Sequence, residues 1–199
     1  KEGSAKMKRI LLALLALMAL VSIPATVFAE DKDPTPWQYK DHFIKMEALI
    51  DEDAEASYDR FMKFVKIEDR YQPKTESLPD GTEFKFYKGD DKNSGLYAST
   101  DGKTIGLEIK PLSINGVLGY LEAVNIEYTT ELVALLADPS NYEFKTAFVK
   151  NDKIAVGITP YEIRDKKGST TVYKYGLMIF KDLDFYEKAK KIYDAENKE

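Results

Sequence analysis

Carboxylates are the side chains with which this 199-residue sequence has most scope for chemistry. It holds 34 Asp and Glu residues, a single histidine, His42, and no cysteine. A cysteine nucleophile is excluded, and a triad or a zinc site would need carboxylates and hydroxyls for its other members. No Gly-x-Ser-x-Gly, Ser-x-x-Lys or His-Glu-x-x-His motif occurs, nor a phosphate-binding Gly-Lys loop. We interpret His42 as a partly exposed helix residue and predict no catalytic residue.

Paired carboxylates act as general acid and base in glycan hydrolases. The reaction needs two carboxyls that converge in one cleft, which spacing along a sequence does not show. The densest acidic cluster, Asp51-Glu52-Asp53 with Glu55 and Asp59, is typical of a solvated helix start, where negative charge suits the helix dipole. A carboxylate-dependent hydrolase therefore stays open as the alternative function.

The segment from Asp90 to Asp101 has the acidic ends and the sixth-position glycine, Gly95, of a calcium-binding EF-hand loop. Lys92 occupies the third ligand position, and Tyr97 replaces the usual aliphatic residue at the eighth. Because a cation among the ligands opposes calcium binding, we predict a polar turn between two strands. We expect neither a metal nor a cofactor.

Aromatic side chains are the remaining resource for recognition, with 13 Tyr, 10 Phe and one Trp. A tyrosine buries its ring while its hydroxyl stays in water, so a tyrosine-bearing sheet face suits peptides, glycans or another protein. Trp37, Tyr161, Tyr173 and Tyr175 are the candidate binding residues. The alternative is that Tyr173 and Tyr175 belong to the core, since they alternate in step with Leu177 and its apolar neighbours.

The formal net charge is −5. Nucleic acid and anionic membrane surfaces reward clustered Lys and Arg, so an acidic chain without a basic stripe argues against both as partners. We expect a protein or a cell-envelope component instead.

The N-terminus has the pattern of a secretory signal. Met7-Lys8-Arg9 precedes an apolar run from Ile10 to Val21, followed by Pro24 and by Ala29, after which we predict cleavage. The apolar run is too short for a transmembrane helix, which needs about 20 residues. We therefore expect a secreted or periplasmic, extracytoplasmic protein with no stable membrane insertion after cleavage.

The predicted domain organisation follows from this signal. Residues 1–6 are interpreted as an artificial remnant ahead of the natural start, residues 7–29 as the signal peptide and residues 30–34 as a mobile leader. Residues 35–199 have the usual length of one domain and 44% of the sequence is apolar, which is enough to bury a core.

Two helices in series are predicted at the start of this domain. Thr35-Pro36-Trp37-Gln38 forms a capping box with proline at the first helical position. Asp51 or Asp53 is predicted to cap a second helix that ends near Arg70.

A period of two residues begins after Thr82 and predicts about four antiparallel strands. Asp101-Gly102 and Asn115-Gly116 are predicted hairpin turns, and the second leads into a strand through Val124 and Ile126. Thr129 is predicted to cap a short helix that ends at Ala137.

Three more strands form a predicted meander, and a last helix closes the chain. Its cap is predicted to be Asp184, with Glu187 at the capping-box position. The apolar residues that alternate along the three strands are Tyr142, Phe144, Thr146 and Phe148; Ile154, Val156 and Ile158; and Tyr173, Tyr175, Leu177 and Ile179. The predicted fold is α+β in two layers, an antiparallel sheet of about seven strands with helices on one face, in the order α-α-β4-α-β3-α.

Leu132-Val133-Ala134-Leu135-Leu136, Tyr142-Glu143-Phe144 and Lys153-Ile154-Ala155-Val156-Gly157-Ile158, with the closing helix, resemble the end of a secretion-chaperone-like α+β domain. The resemblance extends as a topology over residues 45–196. It implies a small two-layer protein that binds other polypeptides. This chain differs from the cytoplasmic members of that superfamily in carrying the pattern of an export signal.

The sequence therefore predicts a non-enzymatic binding or chaperone-like module that uses a concave sheet face or an exposed sheet edge. A small-ligand carrier, the third possibility, would need an enclosed apolar cavity between sheet and helices.

Overall fold

The structure is a computed structural model that describes residues 36, 40, 43–45, 50–65, 71–89, 94–142, 145–164 and 171–197. The helices with defined bounds are α1 (Ala54–Val65), α2 (Ile114–Ala123), α3 (Thr130–Ala137) and α4 (Leu183–Glu196), with a 3₁₀ helix at Pro139–Tyr142. The strands are β1 (Lys74–Ser77), β2 (Glu83–Lys88), β3 (Ser94–Ser99), β4 (Thr104–Leu112), β5 (Ala147–Lys150), β6 (Ala155–Arg164) and β7 (Thr171–Phe180). Pro36, Lys40 and residues 43–45 are also helical.

The strands form one seven-stranded sheet in the order β1-β2-β3-β4-β7-β6-β5. Every neighbouring pair is antiparallel. Two meanders, β1 to β4 and β5 to β7, join where Leu107 of β4 pairs with Ile179 of β7. The predicted α+β class and the seven-stranded antiparallel sheet are confirmed.

The two faces of the sheet belong to two different hydrophobic cores. Neighbours in a strand point to opposite faces, so Ile179 lies in a main core with α1, α2 and α3, whereas Phe180 lies in a second core with α4. We call the second side, which includes Glu108, Met178 and Phe180, the α4 face.

Helices therefore cover both faces of the sheet, whereas the predicted arrangement placed all of them on one. Phe185 of α4 packs edge-on against Phe84, with ring centroids 5.6 Å apart, and lies 6.4 Å from the ring of Phe180. The physical reason is that β2 and β7 have large apolar side chains on both faces, and a single helical layer would leave one set in water.

α1 begins where the acidic cluster predicted a cap. The Asp53 side chain accepts a hydrogen bond from the Ala56 amide at 2.7 Å, which satisfies one of the orphan amides of the first turn. The Ala54 amide donates to the Gly102 carbonyl, and the Thr104 amide donates to that of Glu52. The β3–β4 hairpin thus holds the start of α1, and Asp53 is confirmed as its cap.

The predicted hairpin at Asn115-Gly116, with its following strand, is wrong, because this segment is α2. The Ser113 hydroxyl accepts a hydrogen bond from the Gly116 amide at 3.1 Å. Asn115 and Gly116 therefore occupy the first turn of a helix whose Val117, Tyr120 and Leu121 are buried in the main core. Their spacing of three and four residues is helical, and it outweighs the turn preference of the Asn-Gly pair.

The predicted turn at Asp101-Gly102 is confirmed, with Gly102 at φ +90°, but the alternation after it is interrupted. Tyr97 pairs with Gly106 and Ala98 with Thr104, which leaves Ile105 as the extra residue of a β-bulge. Ile105 therefore lies in the second core and Leu107 in the main core. The Ile105 carbonyl accepts from the amides of Lys181 and Asp182, so the bulge also positions the start of α4.

The second meander is confirmed with two local differences. Tyr142 ends the 3₁₀ helix instead of beginning a strand, and β5 starts at Ala147. Asp182, and not Asp184, caps α4: its side chain accepts from the Phe185 amide at 2.9 Å.

Several predictions lie outside the described residues. They concern residues 1–29 and 30–34, the capping box with Thr35, Trp37 and Gln38, His42, and the end of the first helical region near Arg70.

Candidate functional site

A cavity of about 80 Å³ lies between the α4 face of the sheet and α4, and it is partly open to solvent. Its lining comes from six of the seven strands, β2 to β7, and from α4. The residues that line it are Leu78, Phe84, Tyr97, Ile105, Gly106, Glu108, Thr146, Phe148, Gly157, Thr159, Gly176, Leu177, Met178, Ile179, Phe180, Phe185, Ala189 and Tyr193. Most of these residues are apolar. We call this space the α4 cavity.

Glycines form part of the floor of the α4 cavity. Gly157 faces Phe148, and a Cβ at Gly157 would lie 3.2 Å from the Phe148 ring. A Cβ at Gly106 would lie only 2.0 Å from the Ile179 carbonyl oxygen. Glycine inside a strand marks close approach of backbone or ring, and here it lets the strands and Phe148 come together beneath the helix.

The roof of the cavity is one face of α4. Phe185, Ala189 and Tyr193 are spaced by one helical turn and all line the cavity. The small side chain of Ala189 therefore leaves space between two aromatic rings. The Tyr193 hydroxyl accepts a hydrogen bond from the Thr146 amide at 3.0 Å, and its ring stands edge-on to Phe148 at 5.1 Å. These contacts fix the C-terminal half of α4 above the sheet.

A buried polar network borders the cavity at β3 and β4. Glu108 is 4% exposed and Lys110 is 7% exposed. The Lys110 ammonium donates to Oε1 of Glu108 at 2.8 Å, and the Tyr97 hydroxyl donates to Oε2 of Glu108 at 3.0 Å. A buried ion pair is tolerated only when its members are paired and hydrogen-bonded, as they are here.

Glu108 influences the ionisation of the groups around it. Burial, and then the charge of Glu108, raises the pKa of the Tyr97 hydroxyl well above its ordinary value, and burial followed by Glu108 does the same for Tyr161. The pKa of Glu76 on β1 is raised by burial first and further by Glu108, while Lys74 opposes the rise. The charge of Glu108 thus raises the pKa of all three groups.

The predicted binding residues divide between the two faces. Tyr161 pairs with Lys174 and, by strand alternation with Gly157 and Thr159, lies on the α4 face. Tyr173 and Tyr175 lie on the other face: Tyr175 is buried in the main core and Tyr173 packs against it. The four candidates therefore do not form one surface, and Trp37 lies outside the described residues.

Tyr175 is a core residue, which was the alternative to its being a binding residue. Its hydroxyl donates to the Leu136 carbonyl in α3. Burial raises the pKa of Tyr175 to about 12, and neighbouring Tyr173 contributes a smaller part of the rise. Its role is to bond α3 to the sheet.

Sequence reasoning missed Glu108, Lys110 and Tyr97. The two charges alternate with Leu107 and Ile109, a pattern that predicts a solvent-facing strand side. The available signal was the set of strand glycines, among them Gly106 and Gly157, which mark close packing on that same side.

The first and last strands of the sheet are short. β1, with the sequence Lys-Thr-Glu-Ser, and β5, with Ala-Phe-Val-Lys, have four residues each and are the first and last strands in the order. Short edges with charged residues are typical protection against pairing with another chain. The α4 face is therefore a better candidate binding site than β1 or β5.

Within the described ranges, no group of three or more His, Cys, Asp or Glu side chains is placed to hold a metal ion. Among the same residues, no helix combines the length and the apolar character needed to cross a membrane.

Comparison of the chain with protein-family models, with curated proteins and with solved structures gives no match. The resemblance to secretion-chaperone-like domains therefore stays a prediction.

Proposed function

We propose that this chain is a non-catalytic binding module that holds an aliphatic group of its ligand in the α4 cavity. The observation that supports this most strongly is the lining, which is apolar apart from Glu108, Thr146, Thr159 and the tyrosine hydroxyls. Ligand sites are typically apolar clefts with a few polar groups that orient the ligand. An apolar cavity between the sheet and a helix is also the feature that a small-ligand carrier, the third possibility from the sequence, would need.

The size of the cavity limits what it accepts. Its volume of about 80 Å³ is roughly half that of an engineered apolar cavity of about 150 Å³ that binds benzene. It suits a short aliphatic group, such as a leucine-sized side chain or the end of an acyl chain. Both kinds of group occur in the predicted partners, a protein and a cell-envelope component.

The signal pattern of residues 7–29 supports a place of action outside the cytoplasm, secreted or periplasmic. Mass spectrometry of the exported product tests this part of the proposal. A mature chain that begins at Glu30 is expected, and a product that retains residues 7–29 would contradict it.

One observation favours the alternative, a carboxylate-dependent hydrolase: Glu76 and Glu108 interact electrostatically, and the pKa of Glu76 is raised. Against it, both oxygens of Glu108 are hydrogen-bonded to Lys110 and Tyr97. Glu76 also does not line the α4 cavity. Loss of glycan cleavage in Glu76→Gln would establish the hydrolase and overturn the binding proposal.

Calorimetric titration of the chain with straight-chain alcohols from propanol to hexanol tests the binding proposal. Each methylene that enters the cavity adds about 0.8 kcal/mol, or about fourfold in affinity, until the space is filled. Ala189→Leu fills the cavity from its roof and is expected to abolish binding. Ala195→Leu, at an exposed position of the same helix, is the matched control and is expected to bind normally.

Equal binding by the Ala189→Leu and Ala195→Leu variants would place the alcohols elsewhere and contradict the proposal. A leucine-containing peptide and a short-chain monoacylglycerol, titrated separately, then distinguish a protein source of the aliphatic group from a lipid source.

A further inference from the structure

Glu108 is the charged side chain that lines the α4 cavity among the described residues. It accepts one hydrogen bond on each oxygen, from Lys110 and from Tyr97. A carboxylate has about four acceptor positions. An ionised, buried carboxylate at the boundary of an apolar cavity therefore has acceptor capacity beyond the two bonds it makes.

Lys110 is not part of the described wall of the cavity. Its ammonium bonds to Oε1 of Glu108, and it is not among the lining residues. Glu76, on the same face, interacts with Glu108 and with Tyr97, and Lys74 offsets part of its charge. A ligand in the cavity therefore contacts a wall that contains Glu108 and, among the described residues, no cation of the network.

The other polar side chains of the lining include two threonines, which carry no positive charge to attract a ligand carboxylate. The Thr146 and Thr159 hydroxyls lie 3.0 Å apart and are hydrogen-bonded to each other. A ligand carboxylate would be desolvated beside Glu108 without a partner, which is costly. A ligand hydroxyl, amide or ammonium would donate to Glu108, and a hydrogen bond to a charged acceptor is among the stronger ones.

We infer that the α4 cavity selects an aliphatic ligand that ends in an uncharged or cationic hydrogen-bond donor, and that Glu108 is the acceptor of that donor. This inference rests on the proposed function and specifies its ligand class. Aliphatic alcohols, amides and amines fit, whereas fatty-acid anions are rejected.

Titration of the unchanged chain at pH 7 with 1-pentanol, pentylamine and pentanoate tests the selection, because the three ligands share one aliphatic chain. Pentanol and pentylamine are expected to bind at least about tenfold more tightly than pentanoate, which corresponds to about 1.4 kcal/mol. Equal binding of all three, or tightest binding of pentanoate, would overturn the inference while leaving the proposed function standing. Failure of all three to bind would overturn the proposed function itself.

Two variants sharpen the assignment to Glu108. Glu108→Gln removes the charge and is expected to bring pentanoate to within about threefold of pentanol. Since this change removes the ion pair between Glu108 and Lys110 and can unfold the chain, Glu76→Gln serves as the second variant. It leaves Glu108 in place and is expected to improve pentanoate binding alone; an equal gain for pentanol and pentylamine would contradict the inference.

Discussion

Tyr97 of β3 donates its hydroxyl hydrogen to Glu108 of β4 over 3.0 Å, at the wall of the α4 cavity. The same carboxylate receives the Lys110 ammonium on its other oxygen. The group that we propose to receive the ligand is thus held by two side chains of the sheet, so the stability of the sheet and the orientation of the acceptor are linked.

Tyr97→Phe is expected to lower the free energy of unfolding by about 1.5–3 kcal/mol, because it removes a hydrogen bond to a charged group and keeps the ring. Urea unfolding measures the change. A loss below about 0.5 kcal/mol would mean that the hydroxyl and Glu108 do not interact appreciably in solution.

Lys110→Met is expected to cost about 3–5 kcal/mol, because it leaves Glu108 buried without its cation. The double variant Glu108→Leu/Lys110→Met is expected to be more stable than Lys110→Met alone, since two apolar side chains of similar size leave no buried charge. A double-mutant cycle from urea unfolding gives the coupling energy. Additive costs would contradict the ion pair.

Glu76→Gln is expected to stabilise the chain at pH 7. The pKa of Glu76 is raised in the folded state from 4.5, so the folded chain binds its proton more tightly than the unfolded chain. The ionised side chain therefore destabilises the fold above the folded pKa, and this cost disappears as the pH falls below the unfolded value.

Thermal unfolding of the parent chain and of Glu76→Gln between pH 3 and pH 7 tests this pH dependence. The advantage of Glu76→Gln is expected to vanish near the acidic end. Glu83→Gln, at an exposed position of β2, is the control and is expected to change little. A variant that is less stable than the parent at pH 7 would contradict the raised pKa.

Ser113→Ala is expected to lower the free energy of unfolding by about 1 kcal/mol, the usual cost of losing a helix cap. Ser113→Asp is expected to keep the stability, since aspartate caps equally well. The comparison separates α2 from the hairpin that Asn115-Gly116 suggests, because a hairpin there would not depend on a cap at residue 113.

Local patterns predicted most of the fold. Asp53 as the cap of α1, Asp101-Gly102 as a turn and the apolar alternation of β6 and β7 are local signals with a direct structural cause. The segment of α2 was wrongly predicted as a hairpin and a strand, because Asn115-Gly116 is as compatible with the first turn of a helix as with a hairpin. Burial of Tyr120 and Leu121 in the main core favours the helix.

The candidate site was much less predictable. The place of α4 on the second face depends on the bulge at Ile105, which is a matter of register between strands and has no single-residue signal. The pairing of Glu108 with Tyr97 likewise depends on that register. Of the four aromatic residues proposed from sequence, Tyr161 shares the face of the cavity, while Tyr173 and Tyr175 are on the main-core face.

Methyl NMR during a titration with 1-pentanol tests the central claim most directly. The methyl groups of Ile105, Met178 and Ala189 border the α4 cavity, whereas those of Ile158, Met62 and Ala98 lie in the main core and serve as controls of the same residue types. Binding in the cavity predicts saturable shifts in the first three methyl groups and little change in the other three. Shifts of similar size in both sets, or none in the first set, would contradict it.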